Sequence, residues 1–170
     1  MGEDQFIAFV ECYRFSVISV IKKLVRSGET ARDLAQESFL RLWKNRNELD
    51  SDQHFFRMLY RIATNLAIDH LRKKKPLNII EFPHRSENTE IISDREEFFR
   101  LIRECARRLK TKQQLVFILR DIEGLAFEEI SYITEIPVEN VRSNLYLARK
   151  NIKTMLESQY EINEEFFYEL

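Results

Sequence analysis

Six polar side chains between positions 140 and 149 have the types and spacing that suit contacts with nucleic acid. They lie off an apolar stripe and are Asn140, Arg142, Ser143, Asn144, Tyr146 and Arg149. Guanidinium groups bind phosphates, and guanidinium and amide groups also match the hydrogen-bonding edges of bases in a major groove. A helix that carries these residues would present a surface able to read DNA.

Two short helices must position that surface. Apolar residues recur every three or four positions, first at Phe127, Ile130 and Ile133, then at Val141, Leu145 and Ala148. Glu135-Ile136-Pro137 separates the two sets, because proline cannot donate a hydrogen bond inside a helix but suits the first turn of a new one. The stretch predicts a helix-turn-helix. Helical hairpins also occur in all-α proteins that never touch nucleic acid, so the pattern alone leaves both interpretations open.

Composition limits the class of protein. The 170 residues include only three Gly and three Pro, which favours an all-α fold. A net charge of −1 argues against binding DNA by bulk electrostatics, so DNA contacts must come from local patches or with a partner's help. Without a phosphate loop or nucleophile motif, the sequence predicts no enzyme and no cofactor.

Cysteine, histidine and hydropathy patterns point to a cytoplasmic protein without metal. Cys12 and Cys105 belong to no metal-binding spacing and are predicted to be buried free thiols in a reducing compartment. Asp50, Asp52 and His54 are too loosely spaced to predict a metal site. No apolar run reaches the length of a membrane span, and the N-terminus is acidic, so we expect no membrane insertion.

Helical periodicity predicts two small helical bundles joined by a flexible linker. The predicted units are an N-terminal bundle at 1–75, the linker at 76–93, a C-terminal bundle with the helix-turn-helix at 94–157, and an acidic aromatic tail at 158–170. Helices are expected at 4–26, 29–49, 52–74, 94–109 and 111–122, with Asp50 or Ser51 capping the third and Gly124 ending the fifth.

Two helix faces of the N-terminal bundle can each be interpreted as an ordinary structural feature or as a binding surface. Asp33, Gln36 and Glu37 could form a solvated face with intrahelical ion pairs, or a face that docks a partner. Phe55 and Phe56 stand among cations of the third helix, so their rings could stack on single-stranded bases or belong to the core.

The order of these features resembles the extracytoplasmic-function (ECF) sigma factors of bacterial RNA polymerase. ARDLAQESFLRLW, at positions 31–43, is similar to the family's polymerase-binding helix. FFRMLYRIATNLAIDHLRKK, at 55–74, is similar to its promoter-melting helix, and residues 112–152 are similar to its C-terminal helix-turn-helix. These stretches cover most of the chain apart from the tail.

The resemblance implies a promoter-specific initiation factor with three sets of site residues. Asp33, Gln36 and Glu37 would bind the clamp coiled coil of core RNA polymerase. Leu49 and Asn65 would flank a pocket for a flipped −10 base near the loop 46–54, with Arg57, Arg61, Arg72 and Lys73 on backbone phosphates. The six residues at 140–149 would read the −35 element in promoter DNA. An anti-sigma factor is an expected further partner.

Three departures from the family pattern affect the helix-turn-helix. The family commonly has Leu-Pro before the C-terminal helices, where this chain has Leu109-Lys110. Glu135 and Pro137 stand where the family commonly has Gly and Ser, and a non-Gly residue in a left-handed turn costs about 1 kcal/mol. Asn140 and Asn144 replace the usual Thr and Arg, so the family's −35 sequence does not transfer to this chain.

Two other classes of protein fit parts of the sequence. A stand-alone helix-turn-helix regulator with a dimerising N-terminal domain would bind DNA without polymerase, and the near-neutral net charge disfavours it. A purely structural helical adaptor would not touch DNA. The cationic and amide face at 140–149 disfavours the adaptor, since partner-binding faces more often carry apolar anchors.

Overall fold

The computed structural model describes residues 2–73 and 94–160, and this part of the chain is all-α. The helices are α1 (Glu3–Val25), α2 (Gly28–Lys44), α3 (Asp52–Lys73), α4 (Asp94–Ala106), α5 (Thr111–Phe117), α6 (Phe127–Thr134) and α7 (Val138–Tyr160). A 3₁₀ turn at Arg46–Glu48 precedes α3, and α5 continues as a π-helical segment at Ile118–Ile122. The predicted linker at 76–93 lies outside the described residues, as does all of the predicted tail beyond position 160.

Hydroxyl groups of serine fix the starts of α2 and α3. The Ser27 side chain accepts a hydrogen bond from the backbone N–H of Thr30 at 3.2 Å. Ser51 accepts one from the backbone N–H of His54 at 3.3 Å, as the sequence predicts for the third helix. Each bond satisfies an N–H group that has no partner inside its helix, a contribution of about 1 kcal/mol. Gly28 begins α2, and α1 ends instead on Arg26 in a left-handed conformation with φ 65°.

The apolar faces of α1, α2 and α3 enclose the core of the N-terminal bundle. Ile21, Leu24, Leu42 and Leu59 are at most 2% exposed. Aromatic rings extend this core, with the Phe9 and Phe55 ring centroids 6.0 Å apart and those of Tyr13 and Phe56 5.5 Å apart. Phe55 is buried and Phe56 half-buried, so these rings belong to the core and do not form an open stacking surface.

The C-terminal bundle surrounds α7 with α4, α5 and α6. Val116, Leu119, Ile130, Ile133 and Val141 are fully buried there. As predicted, α5 and its π-helical extension end before Gly124, whose φ of +73° suits glycine. A backbone hydrogen bond of 3.0 Å from the N–H of Leu125 to the carbonyl of Leu119 closes this end.

The turn between α6 and α7 keeps its tight geometry despite the departures from the family pattern. Glu135 has φ 56° and ψ 27°, a left-handed conformation in which its Cβ costs about 1 kcal/mol relative to glycine. Pro137 precedes the first residue of α7, and its carbonyl accepts the N–H of Val141 at 2.9 Å. The helix-turn-helix predicted from the sequence is therefore present.

The two bundles pack against each other, which the sequence did not indicate. Helix α6 lies against α3, and the π-helical segment touches α1. Lys23 pairs with Glu123 at 2.7 Å, and the Arg26 guanidinium donates to the Arg107 carbonyl at 2.6 Å. The Gln114 amide donates to the Lys23 carbonyl at 3.3 Å. We call this set of contacts, together with those of α3 and α6, the inter-bundle interface.

The cysteines differ in exposure. Cys105 is buried as predicted, but Cys12 is exposed, so that part of the prediction is wrong. The reason is that Cys12 lies at the edge of the apolar face of α1, where it lines a cavity beside Phe9 and Tyr13 and stays open to solvent. Among the described residues, none of the helices is long and apolar enough to cross a membrane.

Tyr60 should make stability fall at alkaline pH. Burial, followed by the nearby charge of Glu123, raises the pKa of Tyr60 from 10.0 to about 12. Between those values the unfolded chain loses the phenol proton and the folded chain keeps it, so unfolding becomes more favourable as pH rises. Over the whole interval between these two pKa values, the free energy of unfolding falls by about 2 to 3 kcal/mol. Between pH 9 and pH 11, urea unfolding should show about half of this loss, about 1.4 kcal/mol, in the wild type and a smaller loss in Tyr60→Phe. Equal losses in the two proteins would contradict the prediction.

Candidate nucleic-acid interface

Most of the predicted DNA-reading side chains of α7 are open to solvent. Asn140, Arg142, Ser143, Tyr146 and Arg149 are exposed and Asn144 is half-buried. Two of them bond along the helix, with Ser143 donating to the Glu139 carbonyl at 2.9 Å and Asn144 to the Asn140 carbonyl at 2.8 Å. The amide oxygen of Asn144 and the hydroxyl lone pairs of Ser143 remain acceptors for a base edge.

The two arginines of this surface differ in the groups that their guanidinium ions contact. Arg149 donates twice to the Asp121 carboxylate, at 2.9 and 2.6 Å, and this bond raises the pKa of its guanidinium. The Arg142 guanidinium instead lies over the Phe127 ring, 5.3 Å from its centroid. A cation held only by a ring face can turn to a base or phosphate at little cost. The Arg142 side chain is therefore freer to turn toward a ligand than that of Arg149, which ties α7 to Asp121.

The cations predicted to hold −10 phosphates fall into two groups along α3. Arg57 and Arg61 are half-buried, and their guanidinium carbons lie 5.9 and 5.8 Å from the ring centroid of Tyr132 on α6. Arg61 also forms an ion pair with Glu135. Arg72 and Lys73, at the end of α3, are exposed, with Arg72 3.7 Å from Asp69.

A cavity of about 540 Å³ lies where the sequence predicts a base pocket, and we call it the loop cavity. It is lined by Gln5, Ala8, Phe9, Cys12 and Tyr13 of α1 and by Leu49, Asp50, Ser51, Asp52 and Phe55. Leu49 is in this lining, as the resemblance implies, and Asn65 is not. Because Asn65 is ten residues beyond Phe55, it lies about 15 Å further along α3. The structure does not bring Asn65 and Leu49 together around one base.

The polar face predicted to dock polymerase borders an apolar groove. Asp33 and Gln36 are exposed, whereas Glu37 is half-buried and pairs with Arg41 at 2.7 Å. A second cavity of about 630 Å³, the α1–α2 groove, is lined by Glu3, Phe6, Ile7, Val10, Arg14, Ile18, Arg32, Ala35, Gln36, Phe39, Leu40 and Trp43.

The apolar part of this groove was missed by sequence reasoning. Ile7 is 52% exposed and Leu40 is 49% exposed, although large apolar side chains are usually buried. The signal in the sequence was Leu40 itself, which falls outside the α2 stripe of Leu34, Phe39, Leu42 and Trp43. An apolar residue among polar ones on a helix face often marks a contact surface.

Asp50 and His54, which flank the start of α3, pair with each other. His54 Nδ1 lies 2.6 Å from the Asp50 carboxylate, a local pair that spans one helical turn. In the part of the chain that the structure describes, no three Asp, Glu, His or Cys side chains cluster as metal ligands would.

Comparison with known proteins assigns both bundles. The family model for sigma-70 region 2 matches residues 9–76, and that for sigma-70 region 4 matches residues 99–152. The chain belongs to the ECF sigma factors. The ECF RNA polymerase sigma factor SigW of Bacillus subtilis is 29% identical over 168 residues, covering 91% of this chain and 90% of that protein.

Further relatives agree with this assignment. The RNA polymerase sigma-H factor of Pseudomonas aeruginosa is 28% identical over 85% of this sigma factor and 82% of its own length. The structure of CnrH in complex with the cytosolic domain of CnrY has a TM-score of 0.71 at 19% identity, and covers 93% of this chain and 91% of its own. That of the sigma factor RpoE with the anti-sigma factor NepR from Bartonella quintana also has a TM-score of 0.71, at 15% identity, and covers 91% and 98%. The chain is a promoter-recognising sigma factor that directs transcription initiation.

Proposed function

We propose that residues 1–75 of this sigma factor bind core RNA polymerase and the −10 element, and that residues 94–157 read the −35 element. The proposal includes a cytoplasmic, non-enzymatic role in which polymerase supplies all catalysis. The proposal is supported by the order of the two sigma regions in one chain, since each region has an exposed surface that could make the contact. In region 2 this surface is α2 with its apolar groove, and in region 4 it is the polar face of α7.

The −35 reader is α7, lying in the major groove. Arg142 is the principal base or phosphate contact, because it is exposed and, among the described residues, contacts the Phe127 ring and no carboxylate. Asn140, Ser143, Asn144 and Tyr146 supply further polar contacts along the same helix, and Arg149 keeps the helix aligned through Asp121. Asn140 and Asn144 also suit adenine, to which asparagine amides bond in a bidentate manner.

The −10 reader combines the loop cavity with the cations of α3. The loop cavity is large enough for a base, and the half-buried Tyr13 ring and Leu49 would pack against the base faces. Arg57, Arg61, Arg72 and Lys73 would hold the phosphates of the separated strand, offsetting an unstacking cost of a few kcal/mol. Asn65 is exposed on α3 and contacts the strand at a second position, away from the cavity.

Core polymerase binds α2 and the α1–α2 groove. Asp33, Gln36 and Glu37 provide hydrogen bonds at the polar edge, and the groove provides the apolar area that usually carries binding energy. An anti-sigma factor is proposed as a regulator, supported by the structural neighbour RpoE, whose structure contains the anti-sigma factor NepR.

Replacing Arg142 with Ala should lower run-off transcription from a promoter that needs its −35 element by about 10-fold, since one good base contact is worth about 1 to 3 kcal/mol. The assay uses core polymerase and purified sigma factor on genomic fragments, followed by a cloned promoter. Thr154→Ala, an exposed change further along α7, is the matched control and should have no effect. If Arg142→Ala causes the same fold loss of transcription on a promoter with a scrambled −35 element, α7 does not read the −35 element.

A further inference from the structure

Residues 161–170 follow α7 in the sequence and combine aromatic with acidic side chains. They contain four glutamates and no lysine or arginine, and two adjacent glutamates stand directly before Phe166, Phe167 and Tyr168. Neither the proposed binding of polymerase nor the proposed reading of promoter DNA uses this segment. Carboxylates repel DNA phosphates, so a protein surface that carries cations is the better partner for it.

The α1–α2 groove has the complementary composition. Its volume of about 630 Å³ lies within the range of about 300 to 1,000 Å³ that is typical of binding sites. Ile7 and Leu40, one from each helix, remain 52% and 49% exposed in it. Arg14 and Arg32 are exposed cations of the lining, in which Glu3 is the one acidic residue. An aromatic and acidic peptide therefore matches this groove in apolar area and in charge.

The cations and the aromatic rings of the groove lie toward opposite ends. The ring centroids of Phe6 and Trp43 are 4.7 Å apart, which places the start of α1 beside the end of α2. The two helices are therefore antiparallel, and Arg14 and Arg32 lie together toward the turn that joins them. We call these the aromatic end and the cationic end of the groove. In the segment, likewise, acidic residues come first and aromatic residues follow.

Helix α7 is linked to the part of α1 that lies beyond the cationic end. The Asn151 amide donates to the Gln113 side chain at 3.2 Å, and the neighbouring Gln114 amide donates to the Lys23 carbonyl at 3.3 Å. Ten residues span about 33 to 36 Å when they are extended. A chain that continues from α7 would therefore enter the groove at its cationic end and run toward its aromatic end.

We infer that residues 161–170 dock in the α1–α2 groove of the same chain. The glutamates at 164 and 165 pair with the cations of the groove, and the aromatic residues after them pack on Ile7, Leu40 and Trp43. The segment thereby competes with core polymerase for the groove and lowers the affinity of the sigma factor for it. This competition rests on the proposed polymerase role of the groove, whereas the docking itself does not.

Attachment to the chain makes even a weak contact effective. A tethered segment has an effective concentration on the order of 1 mM. With an intrinsic dissociation constant on the order of 0.1 mM, the groove is occupied about ten times as often as it is free. Exposed ion pairs are individually weak, so the rings supply most of the affinity and the glutamates set the direction of the segment.

Fluorescence of Trp43 tests the docking in the 170-residue chain, since Trp43 lines the groove and is the only tryptophan. Phe166→Ser combined with Phe167→Ser should make Trp43 about threefold more accessible to acrylamide than it is in the wild type. Phe15→Ser, at an exposed position of α1 outside the groove lining, is the control and should leave quenching unchanged. Unchanged quenching in the double variant would overturn the docking. Quenching of the wild type that depends on protein concentration would overturn docking within one chain.

A charge reversal and its rescue test the direction of the segment. Arg14→Glu combined with Arg32→Glu should make Trp43 about twofold more accessible, because the cationic end then repels the two glutamates. Adding Glu164→Arg and Glu165→Arg should restore the protection seen in the wild type. An arginine reversal without effect, or one that the glutamate reversal does not rescue, would overturn the pairing.

Titration of fluorescent core polymerase separates the docking from its consequence. Phe166→Ser combined with Phe167→Ser should bind polymerase about 10-fold more tightly than the wild type, and Phe15→Ser should not. A more accessible Trp43 with unchanged polymerase affinity would retain the docking and overturn the proposed polymerase role of the groove. Tighter binding of polymerase without a change in Trp43 quenching would overturn the docking in this groove.

Discussion

Leu40→Asp should lower the affinity of this sigma factor for core RNA polymerase about 30-fold or more. Leu40 is 49% exposed at the edge of the α1–α2 groove, beside Gln36 and Trp43. Apolar anchors at the centre of an interface are often worth 2 kcal/mol or more, and a buried carboxylate without a partner adds a desolvation cost. Titration of fluorescent core polymerase with wild-type and variant protein measures the change directly.

The control for this prediction is Phe15→Asp. Phe15 is 68% exposed on α1 but does not line the groove, so the same chemical change should leave polymerase affinity within a few-fold of wild type. Asp33→Ala combined with Glu37→Ala should weaken binding less than Leu40→Asp, because these polar groups stay close to solvent. Unchanged affinity in Leu40→Asp would remove the groove from the polymerase interface.

Leu59→Ala should destabilise the N-terminal bundle by about 2 to 5 kcal/mol. Leu59 is 0% exposed on α3, where its side chain fills the space between the three helices. Truncation removes buried apolar area and leaves a cavity that a close-packed core only partly fills. Urea unfolding followed by fluorescence reports this bundle specifically, because Trp43 is the only tryptophan in the chain.

Leu147→Ala is the matched substitution for Leu59→Ala. Leu147 is 42% exposed on α7, and its truncation should change the free energy of unfolding by less than about 0.5 kcal/mol. Circular dichroism on the same samples follows both bundles. A loss below 1 kcal/mol in Leu59→Ala would show that the space around α3 collapses more readily than a well-packed core does.

The helices could be predicted from the sequence because their determinants are local. Ser51 caps α3, Gly124 adopts a positive φ after the π-helical segment, and apolar residues at helical spacing define the buried faces. The helix-turn-helix was predicted for the same reason, since Ile130, Ile133 and Val141 are buried as the pattern requires. Each of these features depends on residues within a few positions of one another.

The inter-bundle interface could not be predicted, because its partners are far apart in the chain. Lys23 and Glu123 are separated by 100 positions, and Arg61 and Glu135 by 74. Each of these charged side chains is also of a type common on any solvated surface, so its residue type does not indicate which partner it pairs with. The same limit applies to Arg149, which was predicted as one of the DNA contacts and is also bonded to Asp121, 28 positions earlier.

The π-helical segment at Ile118–Ile122 has a consequence for variants with altered chain length. Its backbone ring is wider by one residue, and Asp121 within it reaches Arg149 on α7. Deleting a single residue there would return the stretch to regular α-helical winding and swing the carboxylate about 100° around the axis. We expect α7 then to lose its bond to Asp121, so the length of this segment determines how firmly the proposed −35 reader is held on the C-terminal bundle.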